Sequence, residues 1–156
     1  MLFRSFLCHV PFADHNAMID PSTPDLACRV LESLGRLGRR LGDPVVNRAV
    51  AYVRKSQESD GCWFSRWGVN YIYGTFLAPR GLEAPGESER EAFILRVGEW
   101  LLSTQNADGG WGETCACYDK QAFFAATSAH SKTREDLAGV ADMCDRRRRS
   151  ANRFTE

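Results

Sequence analysis

The chain lacks the features that mark several large classes of protein. No apolar run approaches the ~20 residues of a membrane-spanning helix. Its 20 lysines and arginines balance 20 acidic residues, so the overall charge does not predict a nucleic-acid partner. Its six cysteines and three histidines fall in no metal-ligand spacing, since Cys115-x-Cys117 alone is a weak signal. We therefore predict no metal site and interpret the cysteines as reduced thiols.

The strongest positive feature is an internal repeat. The segment RAVAYVRKSQESDGCW, residues 48–63, aligns without a gap on RVGEWLLSTQNADGGW, residues 96–111, at an offset of 48 positions. The matching residues at the end of each unit are Gln57, Gly61 and Trp63 in the first and Gln105, Gly109 and Trp111 in the second. A self-match of this period indicates a repeat architecture. Each unit is predicted to be a helix, an Asp-Gly turn and a stacking tryptophan. One copy alone is compatible with a solvated loop, but two ungapped copies disfavour that interpretation.

Two helices are predicted before the first turn. The first runs over residues 24–34, with Thr23 as N-cap and Gly35 as its end. Its apolar stripe is Leu26, Val30 and Leu34, with Ala27 and Leu31 beside it. The second runs over residues 44–56, with Asp43 as cap and a buried stripe of Val46, Ala49, Val50 and Val53. Both start with proline at the first helical position, where its missing N–H costs nothing.

Two further helices come after the first tryptophan. One is predicted from Arg66 to Leu77, stopped by Pro79 and succeeded by a loop over residues 78–87. The next begins at a capping box of Ser88 and Glu91, and its predicted buried residues are Phe93, Ile94, Val97 and Leu101.

The character of the chain changes after about residue 120. Apolar periodicity is poor there, and Arg146–Arg149 is a run of four like charges, interpreted either as an anionic-lipid or nucleic-acid patch or, preferably, as a solvated tail. We therefore divide the chain into a helical domain, residues 1–120, and a divergent, disordered or frameshifted tail, residues 121–156. Residues 1–10 are apolar, too short for a signal peptide, and have no assigned role.

The repeat also carries a family resemblance. Q-x-x-D-G-x-W closing a helix headed by arginine resembles the QW repeat of the triterpene cyclases. GCWFSRWGVNYIYGT and QNADGGWGETC are similar to bacterial squalene–hopene cyclases in particular, and the likeness runs from about Val10 to Tyr118. It implies an all-α fold, part of an α/α barrel (toroid) of antiparallel helices with QW repeats. About four helices are too few to close such a ring, so apolar helix faces should be exposed.

The resemblance implies roles for individual residues. Those expected to support the catalytic acid are Asp25, Arg29, Arg66 and Tyr73. Trp67 would stabilise carbocations through its ring face, and Phe12, Ala13 and His15 would border the substrate channel. From the residues alone, other interpretations stay open. Asp25 and Arg29, four positions apart, also fit an exposed ion pair of ~0.3–0.5 kcal/mol. Phe12 also fits a loop anchor, and the aromatic residues also fit core positions.

The same resemblance implies an activity. The complete enzyme would cyclise squalene to hopene or hopanol through a carbocation cascade, without cofactor or metal. Its partners would be the lipid substrate and the cytoplasmic face of the bacterial membrane, on which it would lie as a peripheral protein. The complete enzyme would also be a possible homodimer. No nucleic acid is expected as a partner. The Asp-x-Asp-Asp motif that supplies the acid in the family does not occur in this chain. We therefore expect the isolated chain to be inactive.

Other functions remain as alternatives. The chain fits a non-catalytic helical binding or structural module, or the product of a decayed gene, and cooperative melting of a stable monomer would favour the module. A protein prenyltransferase subunit of similar fold would need Asp, Cys and His zinc ligands, and the three histidines lack suitable neighbours. A glycosidase would need a placed carboxylate pair, for which no motif argues.

Overall fold

The computed structural model of this protein describes residues 21–66, 69–86, 92–118, 120 and 122–126. In these residues the chain forms α1 (Pro24–Arg36), α2 (Pro44–Lys55), α3 (Asn70–Glu83), α4 (Ala92–Thr104) and a 3₁₀ turn, Cys115–Tyr118. Within these ranges there is no strand, and extended pairing is limited to one isolated antiparallel bridge between Glu113 and Ala125. The prediction of an all-α fold is confirmed.

Helix α3 forms the centre of the core, and α1 packs along it. Its residues from Asn70 to Leu82 are buried except for Tyr73 and Arg80, which are partly exposed. Two glycines bring the helices together. A Cβ atom at Gly81 would lie 2.6 Å from the Cα of Cys28, and one at Gly35 would lie 2.5 Å from the carbonyl carbon of Ala84. Since real side chains do not approach backbone so closely, α1 and α3 can pack at this distance only where glycine stands.

The predicted buried face of α1 is wrong in part: Leu34 and Ala27 are partly buried against the core and Leu31 is fully buried, but Leu26 and Val30 are not buried. Leu26 and Val30 are 44% and 54% exposed, and the residues that face the core are Asp25, Cys28, Leu31 and Gly35. The helix also continues through Gly35 to Arg36, and Thr23 stands at the N-cap without a side-chain capping bond. The close approach to α3 at Gly35 and Gly81 sets which face of α1 is buried, and the apolar pattern of α1 alone does not contain that information.

The predicted bounds of α3 are also wrong. The helix begins at Asn70 rather than Arg66, and it continues through Pro79 to Glu83, so residues 78–83 are helical and only residues 84–86 form a turn. Proline inside a helix costs about 3 kcal/mol because it removes one backbone hydrogen bond. Pro79 is buried. The packing of α3 against α1 therefore outweighs the local preference to stop.

Helices α2 and α4 agree with the prediction more closely. Asp43 caps α2 by accepting hydrogen bonds from the backbone N–H groups of Val45, at 2.8 Å, and Val46, at 3.4 Å. The predicted buried residues of both helices are confirmed where the structure describes them: Val46, Val50, Val53, Phe93, Val97 and Leu101 are buried, and Ala49 is partly buried. The capping box of Ser88 and Glu91 and the side chain of Ile94 lie outside the described residues.

The first residues of the predicted tail contact the second repeat. The ring of Phe123 lies 5.1 Å from that of Trp100 and 6.5 Å from that of Tyr71, both edge to face. Thr114 donates a backbone hydrogen bond to the carbonyl of Phe124. The division at residue 120 stays a prediction, and Arg146–Arg149 and residues 1–10 lie outside the described part. No helix among the described residues is long and apolar enough to span a membrane.

Candidate functional site

The first repeat ends in a hydrogen-bonded turn that joins α2 to α4 through the side chain of Gln57. We call residues 57–63 the first corner and the matching residues 105–111 the second corner. The side-chain Nε2 of Gln57 donates to the carbonyl of Gly61 at 2.8 Å and to the carbonyl of Phe93 at 2.9 Å. Its Oε1 accepts a hydrogen bond from Nη2 of Arg96. One amide therefore ties the end of α2 to its own turn and to the first turns of α4, using both its donors and its acceptor.

Trp63 packs on the buried side of the same corner. The indole is fully buried, and its Nε1 donates to the carbonyl of Val53 at 2.7 Å. Gly61 adopts φ 100°, and a Cβ there would lie 2.7 Å from the carbonyl oxygen of Arg96. The glycine of the Asp-Gly turn is thus required both by its left-handed backbone and by the approach of α4.

The second unit repeats the internal bonds of the first at the same offset. Gln105 Nε2 donates to the carbonyl of Gly109 at 2.9 Å, and Trp111 Nε1 donates to the carbonyl of Leu101 at 2.8 Å. Backbone bonds across the turns also match, from Glu58 to Cys62 and from Asn106 to Gly110. The repeat seen in the sequence is therefore a repeat of structure, down to individual hydrogen bonds.

The structure brings together two of the residues assigned to support an acid. Nη2 of Arg29, on α1, donates to the phenol oxygen of Tyr73, on α3, at 3.3 Å. This hydrogen bond raises the pKa of Arg29 above its ordinary value, so the guanidinium stays charged. Since the Tyr73 oxygen accepts from Arg29, its own proton remains available to donate to another group.

Asp25 is buried, so it does not form the exposed ion pair with Arg29 that the four-residue spacing allowed. Its side chain is 2% exposed, and its Oδ1 is buried without a hydrogen-bond partner. Among the described residues, Arg29 pairs with Tyr73 rather than with Asp25. Burial, together with the negative charge of Asp25, raises the pKa of the neighbouring Cys28 thiol. A thiol held protonated in this way is a packing group rather than a nucleophile.

The remaining predicted site residues fall in two groups. Arg66 is half-buried in the bend that precedes α3. Phe12, Ala13, His15 and Trp67 lie outside the described residues. No group of three His, Cys, Asp or Glu side chains suited to a metal ion occurs in the described ranges, and Cys28, Cys62, Cys115 and Cys117 are free thiols.

Sequence reasoning missed two polar side chains that bear on the start of α3, the partly buried Glu113 and the buried Asn70. Glu113 accepts from the backbone N–H groups of Tyr71, at 2.9 Å, and Ile72, at 3.0 Å, and so caps the helix from 42 residues away. The Asn70 side chain is fully buried, with both its polar atoms unpartnered. The only available sign of a remote cap was that α3 has no capping side chain of its own at Val69.

We expect the stability of this cap to depend on pH. Burial raises the pKa of Glu113 above its ordinary 4.5, although its hydrogen bonds oppose the shift. A raised folded pKa means that the folded state binds the proton more tightly than the unfolded state. The corresponding stabilisation is full below pH 4.5 and is lost as pH rises through the folded pKa. In Glu113→Gln this part of the pH dependence of unfolding should vanish, as urea titrations between acid and neutral pH would measure.

The control for this prediction is Glu99→Gln, which changes an exposed glutamate on α4. The free energy of unfolding of this control variant should change with pH in the same way as that of the unmodified chain. If the free energy of unfolding of Glu113→Gln also changes with pH as that of the unmodified chain does, the prediction is contradicted.

Comparison with known proteins places these features in one family. The squalene–hopene cyclase C-terminal domain family matches residues 3–155. A squalene–hopene cyclase of Zymomonas mobilis is 41% identical over 138 residues, covering 87% of this chain and 21% of that protein. A dammaradiene synthase of Dryopteris crassirhizoma is 45% identical over 132 residues, covering 72% of this chain and 19% of that protein. A squalene hopane cyclase of Aspergillus fumigatus is 34% identical over 188 aligned positions, covering 95% and 25%.

The chain spans about a fifth to a quarter of the length of these relatives. The four helices and the two QW corners are therefore a portion of the all-α toroid to which this domain belongs. The match covers nearly the whole chain, and the structure contains the hydrogen-bonded repeat that the QW resemblance predicts. The chain belongs to the squalene–hopene cyclase C-terminal domain family of triterpene cyclases.

Proposed function

We propose that this chain is the part of a squalene–hopene cyclase that supports the catalytic acid. The complete enzyme would be an isomerase that folds squalene into hopene or hopanol through a carbocation cascade, without cofactor or metal. The observation that carries the proposal is the hydrogen bond from Arg29 to Tyr73, 3.3 Å long, between two residues that the resemblance assigns to the acid's surroundings. Relatives named squalene–hopene cyclase support the substrate assignment.

The pair suits this task for a physical reason. Arg29 holds the phenol by its oxygen, so the Tyr73 hydroxyl can donate its proton to a carboxylate beside it. A donated hydrogen bond and a nearby positive charge both stabilise an ionised carboxylate. An acid whose conjugate base is stabilised gives up its proton more readily, which protonation of an alkene requires. Asp25 and Arg66 are assigned to the same surroundings, and Trp67 to the stabilisation of the carbocations by its ring face.

The substrate also bears on location. Squalene partitions into lipid, so we assign the complete enzyme to the cytoplasmic face of the membrane as a peripheral protein. Phe12, Ala13 and His15 would then border the channel through which the lipid reaches the cavity. The isolated chain should form no hopene, because the Asp-x-Asp-Asp acid is absent from it.

A chimera tests the proposal. Residues 10–118 would replace the matching segment of the Zymomonas mobilis cyclase, and the purified chimera would be incubated with squalene and analysed by gas chromatography. We expect hopene from the chimera and none from the isolated chain. Arg29→Ala and Tyr73→Phe in the chimera should each lower the turnover by about tenfold or more, since each removes a positioned donor. The matched control is Arg36→Ala, whose arginine side chain on the same helix is 72% exposed.

Folding must be separated from activity. Each chimera would be checked for cooperative thermal unfolding at a midpoint near that of the recipient enzyme. A folded chimera without cyclic product would overturn the proposal. Equal turnover in the Arg29, Tyr73 and Arg36 variants would overturn the role of the pair.

A further inference from the structure

The start of α3 carries Tyr73, whose phenol accepts a hydrogen bond from Arg29. Tyr73 is the fourth residue of the helix, so it lies in the first turn. The N-cap residue, Val69, offers no capping side chain, so the backbone N–H groups of this turn depend on partners from elsewhere in the chain. The bond from Arg29 to Tyr73 is 3.3 Å long, near the upper limit for a hydrogen bond. A small displacement of the turn would therefore break it.

Glu113 supplies the missing partner. Its Oε2 accepts from the backbone N–H groups of Tyr71, at 2.9 Å, and Ile72, at 3.0 Å, and its Oε1 accepts from Tyr71 at 3.2 Å. Tyr71 and Ile72 directly precede Tyr73 and are 4% and 8% exposed. Water therefore has little access to their amides, and loss of the carboxylate would leave them unpaired unless the turn moved. The helix dipole also favours a negative charge at this place.

The segment that carries Glu113 is itself held in place by the second corner and by a backbone bridge. Two positions before Glu113, Trp111 is 4% exposed and donates from Nε1 to the carbonyl of Leu101 at 2.8 Å. The isolated antiparallel bridge pairs Glu113 with Ala125. The carboxylate that caps α3 therefore stands on a hydrogen-bonded support.

The first repeat contacts the start of α3 through other groups. The backbone N–H of Trp63 donates to Thr75 Oγ1 at 2.9 Å, and the backbone N–H of Ser65 donates to the carbonyl of Asn70 at 3.2 Å. Neither bond uses a backbone N–H group of α3, so neither satisfies the amides of the first turn. Among the described residues, those amides are held by the segment after the second corner.

We propose that Glu113 is a positioning residue for Tyr73. By holding the first turn of α3, Glu113 fixes the place of the phenol, so that the phenol accepts from Arg29 and donates to the acid. The inference rests on the proposed function, because it takes Tyr73 as a support of that acid. It adds that the second QW repeat, through the cap on α3, determines the geometry of the acid's surroundings.

A double-mutant cycle in the chimera of residues 10–118 tests the proposal. Glu113→Ala should lower kcat by about tenfold, since a displacement of less than about 1 Å is enough for a loss of this size. In a chimera that already carries Tyr73→Phe the hydroxyl is gone, so Glu113→Ala should lower kcat by less than about twofold. A residue that only stabilised the fold would lower turnover by the same factor in both backgrounds.

Two milder variants extend the cycle. Glu113→Gln keeps an acceptor oxygen at the same distance from the backbone, so it should restore most of the turnover that Glu113→Ala loses. Glu113→Asp keeps the charge on a shorter side chain that no longer reaches the helix. It carries the same cycle where the alanine variant does not fold.

Asp43→Ala is the matched control. Asp43 caps α2 as Glu113 caps α3, with a carboxylate that accepts from two backbone N–H groups, at 2.8 and 3.4 Å. No residue of α2 is assigned to the acid. Loss of this cap should therefore lower the midpoint of thermal unfolding and leave kcat of the folded chimera unchanged.

Hydrogen exchange of the chimera, measured by mass spectrometry, gives a result that does not depend on activity. In Glu113→Ala the amides of Tyr71 and Ile72 should exchange about tenfold faster or more, because each loses a hydrogen bond to a charged group. Asp43→Ala should leave their exchange unchanged.

Three results would overturn the proposal and leave the role of the Arg29–Tyr73 pair intact. They are unchanged exchange in Glu113→Ala, full kcat in that variant, and an equal loss of kcat with and without the Tyr73 hydroxyl. If Tyr73→Phe alone leaves kcat unchanged, the proposed role of the pair fails, and this inference fails with it.

Discussion

Replacement of Trp63 by alanine should cost this chain about 3–5 kcal/mol of unfolding free energy, the usual loss for a large core aromatic. Trp63 is fully buried at the junction of α2, its turn and α3, and its Nε1 bonds to the carbonyl of Val53 at 2.7 Å. The substitution leaves a cavity and removes one of the two hydrogen bonds that the Val53 carbonyl accepts, the other coming from the backbone N–H of Ser56. Since whole domains are stable by only about 5–15 kcal/mol, a large fraction of the chains should unfold. Urea denaturation monitored by circular dichroism measures the loss.

Two variants separate the causes of this loss. Trp63→Phe keeps a six-membered aromatic ring and removes the N–H, so it should cost less, about 1–3 kcal/mol, from one lost hydrogen bond and the smaller ring. Leu102→Ala, at a position that is 48% exposed, should change stability by less than about 0.5 kcal/mol. Equal losses for Trp63→Ala and Leu102→Ala would contradict the central place assigned to the indole.

Replacement of Gln57 by alanine should cost about 2–4 kcal/mol, because three hydrogen bonds are lost and one of them is charge-assisted. The carbonyls of Gly61 and Phe93 each lose the bond from Gln57, and the Arg96 guanidinium loses its bond to the Gln57 oxygen. The end of α2 would then be released from the start of α4. The measurement is the same urea denaturation.

The chain supplies its own control in Gln105→Ala. Gln105 is the same residue at the same place in the second unit, but it is exposed, and among the described residues its side chain bonds only to Gly109. Its loss should cost about 0.5–1.5 kcal/mol, the value of one ordinary hydrogen bond. If the two substitutions cost the same, the contact of Gln57 with α4 adds nothing to stability.

Several elements could be predicted because their causes are local. Asp43 and Pro44 mark the start of α2 through a side-chain cap and a fixed φ, and the structure has both. The valines of α2 recur at helical spacing and are buried as expected. The two turns need glycine at positive φ after aspartate, and Gly61 and Gly109 adopt φ 100° and 77°. In each case the reason lies within a few residues of the feature.

Other elements could not be predicted because their causes lie far away in the sequence. Pro79 is held inside α3 by the packing of that helix on α1, against its own preference. Leu26 and Val30 are exposed because glycines at positions 35 and 81 draw the opposite face of α1 onto α3. Glu113 caps α3 from the second unit. No window of ten or twenty residues contains both partners of any of these contacts.

The sequence by itself determined the repeat, because each unit encodes its own turn, tryptophan and glutamine, and it determined the all-α class through helical periodicity. It also carried the family resemblance, which supplies the roles proposed for Asp25, Arg29, Arg66 and Tyr73. Only the tertiary structure decided that Arg29 bonds to Tyr73 across 44 positions, that Asp25 is buried, and that the first glutamine corner holds a helix while the second is exposed. These outcomes depend on which surfaces meet, and burial and pairing are properties of the packed helices rather than of any one segment.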